Sequence, residues 1–105
     1  MKEITAKELK EKMDKKEIFQ LIDVREQHEH DFANISGEVI PMSQVINEKD
    51  KIQIDKPVVF YCRSGNRSAV VIQALEQRFG FTNLYNLKGG ILAWARDIDP
   101  SVPQY

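Results

Sequence analysis

Short apolar runs alternate with helical stripes along the chain. Residues 19–24, 57–61 and 84–87 are mainly apolar stretches of strand length, each followed by polar or turn residues. Residues 5–13 and 68–79 repeat apolar side chains every three or four positions, which predicts two amphipathic helices. Strands that alternate with helices in a chain this short predict an α/β fold with a mainly parallel central sheet.

Local capping signals set the ends of the predicted helices. Thr5 and Glu8 have the spacing of a capping box at the start of the first helix. The second helix begins at Ser68, and Gly80 suits its carboxyl end. A last helix is predicted over residues 91–96, after a glycine pair. The inward stripe of the second helix consists of Val71, Ile72, Leu75 and Phe79.

The remaining segments carry weaker signals. Residues 25–32 are strongly polar and predict a loop that leads into a helical turn, whereas 39–41 predict a brief strand ended by proline. A short helix is expected over residues 43–47. Trp94 in the last helix is interpreted as a core anchor, and the proline-containing residues 97–105 are expected to run over the surface.

Length and composition fit one globular domain over residues 1–105. The chain is 42% hydrophobic and 30% charged, which is ordinary for a protein with its own core. Fifteen Lys and Arg against 16 Asp and Glu, interspersed, argue against a basic surface for nucleic acid. No apolar run approaches the roughly 20 residues of a membrane helix, and the first residues lack the apolar core of a signal peptide.

The single cysteine, Cys62, excludes an intramolecular disulfide and a zinc site made of several thiolates. We therefore expect a reducing, cytoplasmic location. No cofactor or metal motif is found in the sequence. His28 and His30 lie beside carboxylates, but two histidines at this spacing in a polar segment are more often solvated than bound to a metal.

The loop that begins at Cys62 predicts a reactive thiol. It directly follows the predicted central strand, and sites in parallel sheets lie beyond the carboxyl ends of the strands. It leads into a helix start, whose free N–H groups and dipole favour negative charge, and Arg63 and Arg67 add two positive charges. Gly65 lets the backbone curl around one point. We expect a thiol pKa below its usual value, in an anion-binding loop.

Three stretches together resemble the rhodanese family, the thiosulfate sulfurtransferases. Residues 62–67, Cys-Arg-Ser-Gly-Asn-Arg, are similar to its C-R-x-G-x-R active-site loop. Residues 21–26 resemble its N-terminal motif, and residues 87–91 with Trp94 resemble its C-terminal motif. The sequence departs from many members at residues 33–34, Ala-Asn in place of Gly-His, and at His30, where an aromatic residue is common.

The resemblance implies a rhodanese-like fold with helices on both faces of the sheet and a persulfide-forming catalytic Cys62. Asp23 and Arg25 are expected to form a buried ion pair in a structural role. Cyanide in the test tube, or a thiol or protein in the cell, would accept the sulfur from the persulfide. Five residues are expected to bind the substrate or the persulfide: Arg63, Ser64, Gly65, Asn66 and Arg67.

The loop spacing separates sulfur transfer from other thiol chemistries. Phosphatases of the C-x5-R type place one more residue between cysteine and arginine, and arsenate reduction normally needs a second thiol. Because Arg63 and Arg67 make the loop doubly cationic, dianionic thiosulfate is favoured over mercaptopyruvate as the donor. Contact between Cys62 and a histidine is a further, less favoured route to activation.

A sulfur carrier or interaction module is the alternative function. Residues 94–105 resemble the end of rhodanese domains that are fused behind adenylating enzymes of ubiquitin-like sulfur carriers. Such domains deliver sulfur to a protein partner. The chain would then be part of a longer adenylating enzyme, or a free-standing relative of such a domain.

Overall fold

The structure, a computed structural model, describes all 105 residues and contains a five-stranded parallel sheet with four α-helices. The longest helix has 14 residues, and none is long and apolar enough to cross a membrane. The strands are β1 Lys2–Ile4, β2 Gln20–Asp23, β3 Glu38–Val39, β4 Val58–Tyr61 and β5 Leu84–Leu87. The helices are α1 Ala6–Asp14, α2 Gln27–Phe32, α3 Asn66–Phe79 and α4 Gly90–Asp97.

The central strand β4 is buried on both faces, as its continuous apolar run predicts. Val58 and Phe60 point into an apolar cluster that includes the inner face of α3. Val59 and Tyr61 point into a second cluster formed with α1 and α4. Because successive strand residues face opposite sides of a sheet, the two clusters show that helices cover both faces. The predicted α/β class is confirmed.

The second predicted helix differs from expectation at both ends. α3 begins at Asn66 rather than Ser68, because Gly65 adopts a left-handed conformation, with φ of +100°, and ends the preceding turn. Phe79, predicted to face inward, is 39% exposed. It lies in the last turn of α3, where the Lys49 Nζ atom is 5.3 Å from its ring centroid.

Short elements account for the other differences. β1 was not predicted, because three residues are too few for a pattern, and it pairs only with β5 at the sheet edge. The strand predicted over 39–41 is β3, which begins one residue earlier and ends at Val39, and the polar segment 25–32 contains α2. In place of the short helix predicted over 43–47, the structure has a 3-10 turn at Met42–Gln44, and a second one follows at Lys49–Lys51.

The sheet order β1-β5-β4-β2-β3 places the candidate site at a branch point of the chain. From β2 the chain continues to β3, toward one edge of the sheet, and from β4 it continues to β5, toward the other edge. This divergence opens a crevice at the carboxyl ends of β2 and β4. Asp23 at the end of β2 is in register with Tyr61 at the end of β4. Cys62 therefore lies beside the residues that follow β2.

Candidate active site

The Cys62 thiol is held by the start of α3. Its Sγ atom accepts hydrogen bonds from the backbone N–H of Gly65 at 3.1 Å and of Ser68 at 3.5 Å, and the side chain is almost fully buried. Gly65 is one of the amides expected to face the sulfur, whereas Ser68 lies one residue beyond the predicted loop. Two N–H groups and the helix dipole thus converge on the sulfur and favour a negative charge there.

Two polar residues to which the sequence analysis gave no role at the site support this loop. Asn86 Nδ2 donates to the Gly65 carbonyl at 3.1 Å, which turns Oδ1 toward Ser68. The Ser68 hydroxyl lies 2.6 Å from that oxygen and 3.4 Å from Cys62 Sγ. Because Asn86 Oδ1 can only accept, the Ser68 hydroxyl donates to it and accepts a hydrogen bond from Cys62 when Cys62 is a thiol. When Cys62 is a thiolate, the hydroxyl can rotate and donate to the sulfur instead.

The start of α4 fixes the loop from the other side. The N–H groups of Ile91 and Leu92 donate to the carbonyls of Cys62 and Arg63, at 2.9 and 3.1 Å. This approach requires glycine, because a Cβ atom on Gly90 would lie 2.4 Å from the Arg63 carbonyl oxygen. The glycine pair of the C-terminal motif therefore lets a helix start hold the carbonyls of the cysteine loop.

The two loop arginines have different environments. Arg67 forms a bidentate ion pair with Glu29, with N–O distances of 2.8 and 2.9 Å. The Arg67 hydrogen bonds lower the pKa of Glu29 to about 2. Arg63 is exposed, forms no ion pair with a side-chain carboxylate, and donates to the backbone carbonyl of Tyr105. The two charges are therefore not equivalent toward an incoming anion.

The other two loop residues face solvent. Ser64 and Asn66 are exposed, and their side chains form no hydrogen bond within the protein. A ligand at the loop can therefore reach these polar groups without displacing an internal contact. Their assignment to substrate or persulfide binding stays a prediction.

At the end of β2, Asp23 and Arg25 form the expected ion pair. Both side chains are fully buried, and Arg25 Nη2 lies 2.7 Å from Asp23 Oδ2. Arg25 also donates to the Ala33 carbonyl and to the Tyr105 hydroxyl, both at 2.7 Å. Desolvation opposes its charge, yet the hydrogen bonds that Arg25 donates to Asp23 and Tyr105 raise the pKa of Arg25. The guanidinium thus anchors α2 and the tail to the sheet.

The histidines do not contact the cysteine. His28 is exposed, whereas His30 is partly buried with Nδ1 2.9 Å from Asp23 Oδ2. The solvated interpretation therefore fits His28 but is wrong for His30. The residue that departs from the family pattern adds a contact to the Asp23 carboxylate.

The tail runs over the surface as expected, but its last residue reaches the site. The Tyr105 hydroxyl accepts from Arg25 and donates to Glu29 Oε2 at 2.8 Å. The Arg63 guanidinium lies 5.2 Å from the centroid of the Tyr105 ring. Burial is the main cause that raises the pKa of Tyr105. Tyr105 thereby connects the buried Asp23 pair with both loop arginines, a role that the sequence analysis missed.

A cavity of about 400 Å³ adjoins the cysteine loop at Arg67. Its volume accommodates a small sulfur-containing anion or a thiol. A larger cavity, of about 550 Å³, lies beside the last turn of α3, at the opposite end of that helix from the thiol. The cavity beside the loop is lined by Val24, Glu26, Met42, Ser43 and Arg67.

Comparison with known proteins identifies the domain type. Residues 5–97 match the family model described as a rhodanese-like domain. The chain is 35% identical over 105 residues to MoeZ of Mycobacterium tuberculosis, which is named an adenylyltransferase/sulfurtransferase. This match covers 97% of the chain but only 26% of MoeZ, so the chain spans about a quarter of that relative.

A relative of similar length and a solved structure agree with the family match. YtwF of Bacillus subtilis, which carries a sulfurtransferase name, is 39% identical, with 95% of this chain and 96% of YtwF covered. The crystal structure of a rhodanese-related protein from Thermoplasma volcanium superposes with a TM-score of 0.80 at 31% identity. That match covers 98% of this chain and 96% of the solved one.

Proposed function

The chain belongs to the rhodanese-like domain family, and on that premise we propose that it transfers a sulfane sulfur from thiosulfate or a similar donor to a thiophilic acceptor through a Cys62 persulfide. The observation that carries the proposal is the Cys62 sulfur itself, held by the amides of Gly65 and Ser68 at the start of α3. The sulfurtransferase names of the relatives support sulfur transfer in general.

In the first half-reaction the Cys62 thiolate attacks the outer sulfur of thiosulfate. The Sγ–S bond forms as the S–S bond of thiosulfate breaks, and sulfite leaves with its electron pair. Arg63 attracts the anion. Arg67 contributes only the part of its positive charge that Glu29 does not neutralise. The amides of Gly65 and Ser68 stabilise the attacking thiolate, because dipoles that already point at Sγ need no reorganisation.

In the second half-reaction an acceptor thiolate or cyanide attacks the outer sulfur of the persulfide. The new bond to that sulfur forms, the S–S bond breaks, and Cys62 leaves as a thiolate. The step uses no cofactor. A reducing compartment such as the cytoplasm, which supplies thiol acceptors, suits this step.

Initial rates of thiocyanate formation from thiosulfate and cyanide test the proposal. Because the sulfur rests on Cys62 between the two steps, double-reciprocal plots should give the parallel lines of ping-pong kinetics. Cys62→Ser should lose the activity, while Ser101→Ala, at an exposed tail residue, should retain it. Thiocyanate formation by Cys62→Ser at the wild-type rate would overturn the proposal.

The second candidate function is that residues 1–105, as one domain, carry sulfur to a protein partner. It is favoured by the similarity to MoeZ, most of whose length lies outside the match. Single-turnover discharge of the preformed persulfide separates the two candidates. Fast discharge to cyanide and small thiols supports the enzyme, whereas rapid loading with slow discharge to every small acceptor supports delivery to a protein.

A further inference from the structure

The charge around the thiol is lower than the cysteine loop alone suggests. Arg67 belongs to the same loop as Cys62, but its guanidinium is paired by both nitrogens with Glu29. Glu29 belongs to α2, so the carboxylate comes from another strand end, 38 positions away in sequence. Glu29 on α2 thus neutralises the positive charge of Arg67 on the cysteine loop.

The charged side chains around the loop also include a second carboxylate. The buried Asp23–Arg25 pair cancels internally. Two guanidinium groups and two carboxylates then face the loop and its adjoining cavity, so that their formal charges cancel. These four are Arg63, Arg67, Glu29 and the cavity-lining Glu26.

The Glu29 carboxylate is built into this position. Its side chain is only 14% exposed, and both oxygens are bound by Arg67, one of them also by the Tyr105 hydroxyl. Tyr105 is in turn held by the buried guanidinium of Arg25. A carboxylate fixed by Arg67, the Tyr105 hydroxyl and the backbone N–H of Glu26 keeps its charge beside Arg67, whereas a mobile surface carboxylate would be displaced by an incoming anion.

We propose that Glu29 is a specificity-determining residue: by neutralising Arg67 it lowers the positive potential at Cys62 and favours sulfur donors with one negative charge or none over dianions. This inference rests on the proposed function. Thiosulfate remains a substrate that Arg63 attracts, but its second negative charge adds little to the electrostatic attraction by the site. Removing the Glu29 carboxylate should therefore improve the reaction with dianions.

Alkylation of Cys62 measures the potential without sulfur transfer. The rate of alkylation by anionic iodoacetate is compared with the rate by neutral iodoacetamide. Because both reagents react with the same thiolate, the ratio of the two rates does not depend on the fraction of Cys62 that is ionised. Glu29→Gln should raise this ratio about threefold at low ionic strength, and salt should reduce the gain. Glu29→Asp keeps the charge and should keep the wild-type ratio. Asp14→Asn, which removes a carboxylate paired with Lys10 on α1, should also keep it.

The donor preference is measured with two donors that differ in charge. Thiosulfate carries two negative charges, and benzenethiosulfonate carries one and releases benzenesulfinate in the same displacement. Glu29→Gln should accelerate persulfide formation about tenfold with thiosulfate but only about threefold with benzenethiosulfonate at low ionic strength. The resulting change in donor preference is a readout that a merely structural role would not move.

Three results would overturn the inference. In the first, Glu29→Gln leaves the iodoacetate-to-iodoacetamide rate ratio unchanged or lowers it. In the second, Glu29→Asp changes this ratio as much as Glu29→Gln does. In the third, Glu29→Gln accelerates persulfide formation equally with both donors. A shifted alkylation ratio without persulfide formation from either donor would overturn sulfur transfer and the donor preference while supporting the electrostatic role. A Cys62 thiol that reacts with neither alkylating reagent would overturn both proposals.

Discussion

The ends of β2 and β4 lie side by side but handle charge in opposite ways. After β4, the sulfur of Cys62 is surrounded by backbone amides and the hydroxyl of Ser68, and the charged groups stand outside. After β2, Asp23 and Arg25 are fully buried as an ion pair with further hydrogen bonds. Oriented dipoles can stabilise a charge that appears during a reaction, whereas a saturated ion pair fixes geometry.

The two regions are specialised yet connected. The buried pair holds Tyr105, Tyr105 holds Glu29, and Glu29 holds Arg67 on the cysteine loop. A change in the buried pair should therefore act mainly on stability, and a change at the loop mainly on reactivity.

The largest effect is expected from Arg25→Met, which leaves Asp23 as a buried carboxylate without its guanidinium. We expect a loss of about 3–5 kcal/mol in the free energy of unfolding, measured by urea titration. Arg96→Met, at an exposed pair with Asp97, should unfold like the wild type. Equal stability of the two variants would contradict the assigned role of the buried pair.

Gly90→Ala should affect both stability and reactivity. The added Cβ would meet the Arg63 carbonyl at 2.4 Å and would strain a residue with φ of +61°. We expect about 2–4 kcal/mol lower stability and roughly hundredfold slower persulfide formation, because the loop must shift.

Gly80→Ala is the matched control, since its φ is +72° but no atom lies within 4 Å of the new Cβ. It should cost about 1 kcal/mol from strain alone and leave the persulfide rate unchanged. If both alanine variants slow the reaction equally, the close contact between α4 and the cysteine loop does not position the site.

The smallest effect concerns the pH dependence of the Glu29 ion pair. Its pKa is depressed from 4.5 to about 2, so the stabilisation is fully present above the unfolded pKa and is lost as the pH falls through the folded one. Glu29→Gln should be less stable by about 1–2 kcal/mol at pH 7, allowing for partial solvent screening. The difference should vanish between about pH 4.5 and 2. Unfolding titrations across that interval check it, and a constant difference would contradict the pair.

The parts predicted from the sequence are those encoded by neighbouring residues. The apolar run before Cys62 predicted the central strand, and the loop sequence predicted a helix start at the thiol; both are observed. The Asp23–Arg25 pair could be expected because its members are two residues apart after a buried strand. Such signals need no knowledge of how distant segments pack.

The missed features join segments that are far apart in sequence. Arg25 and Tyr105 are 80 positions apart, and Arg67 and Glu29 are 38 apart, so packing alone brings them together. Asn86 left a local signal, a polar side chain in the otherwise apolar run of β5 that is buried in the structure. A buried amide needs a hydrogen-bond partner, which could have pointed to the loop beside it.

Whether Cys62 accepts sulfur can be read from the intact mass of the wild-type chain after incubation with thiosulfate, without reductant. A gain of one sulfur atom is expected, reversed by cyanide and absent in Cys62→Ser. No gain in mass, with a thiol that resists alkylation in the folded protein, would contradict a sulfur-transferring Cys62.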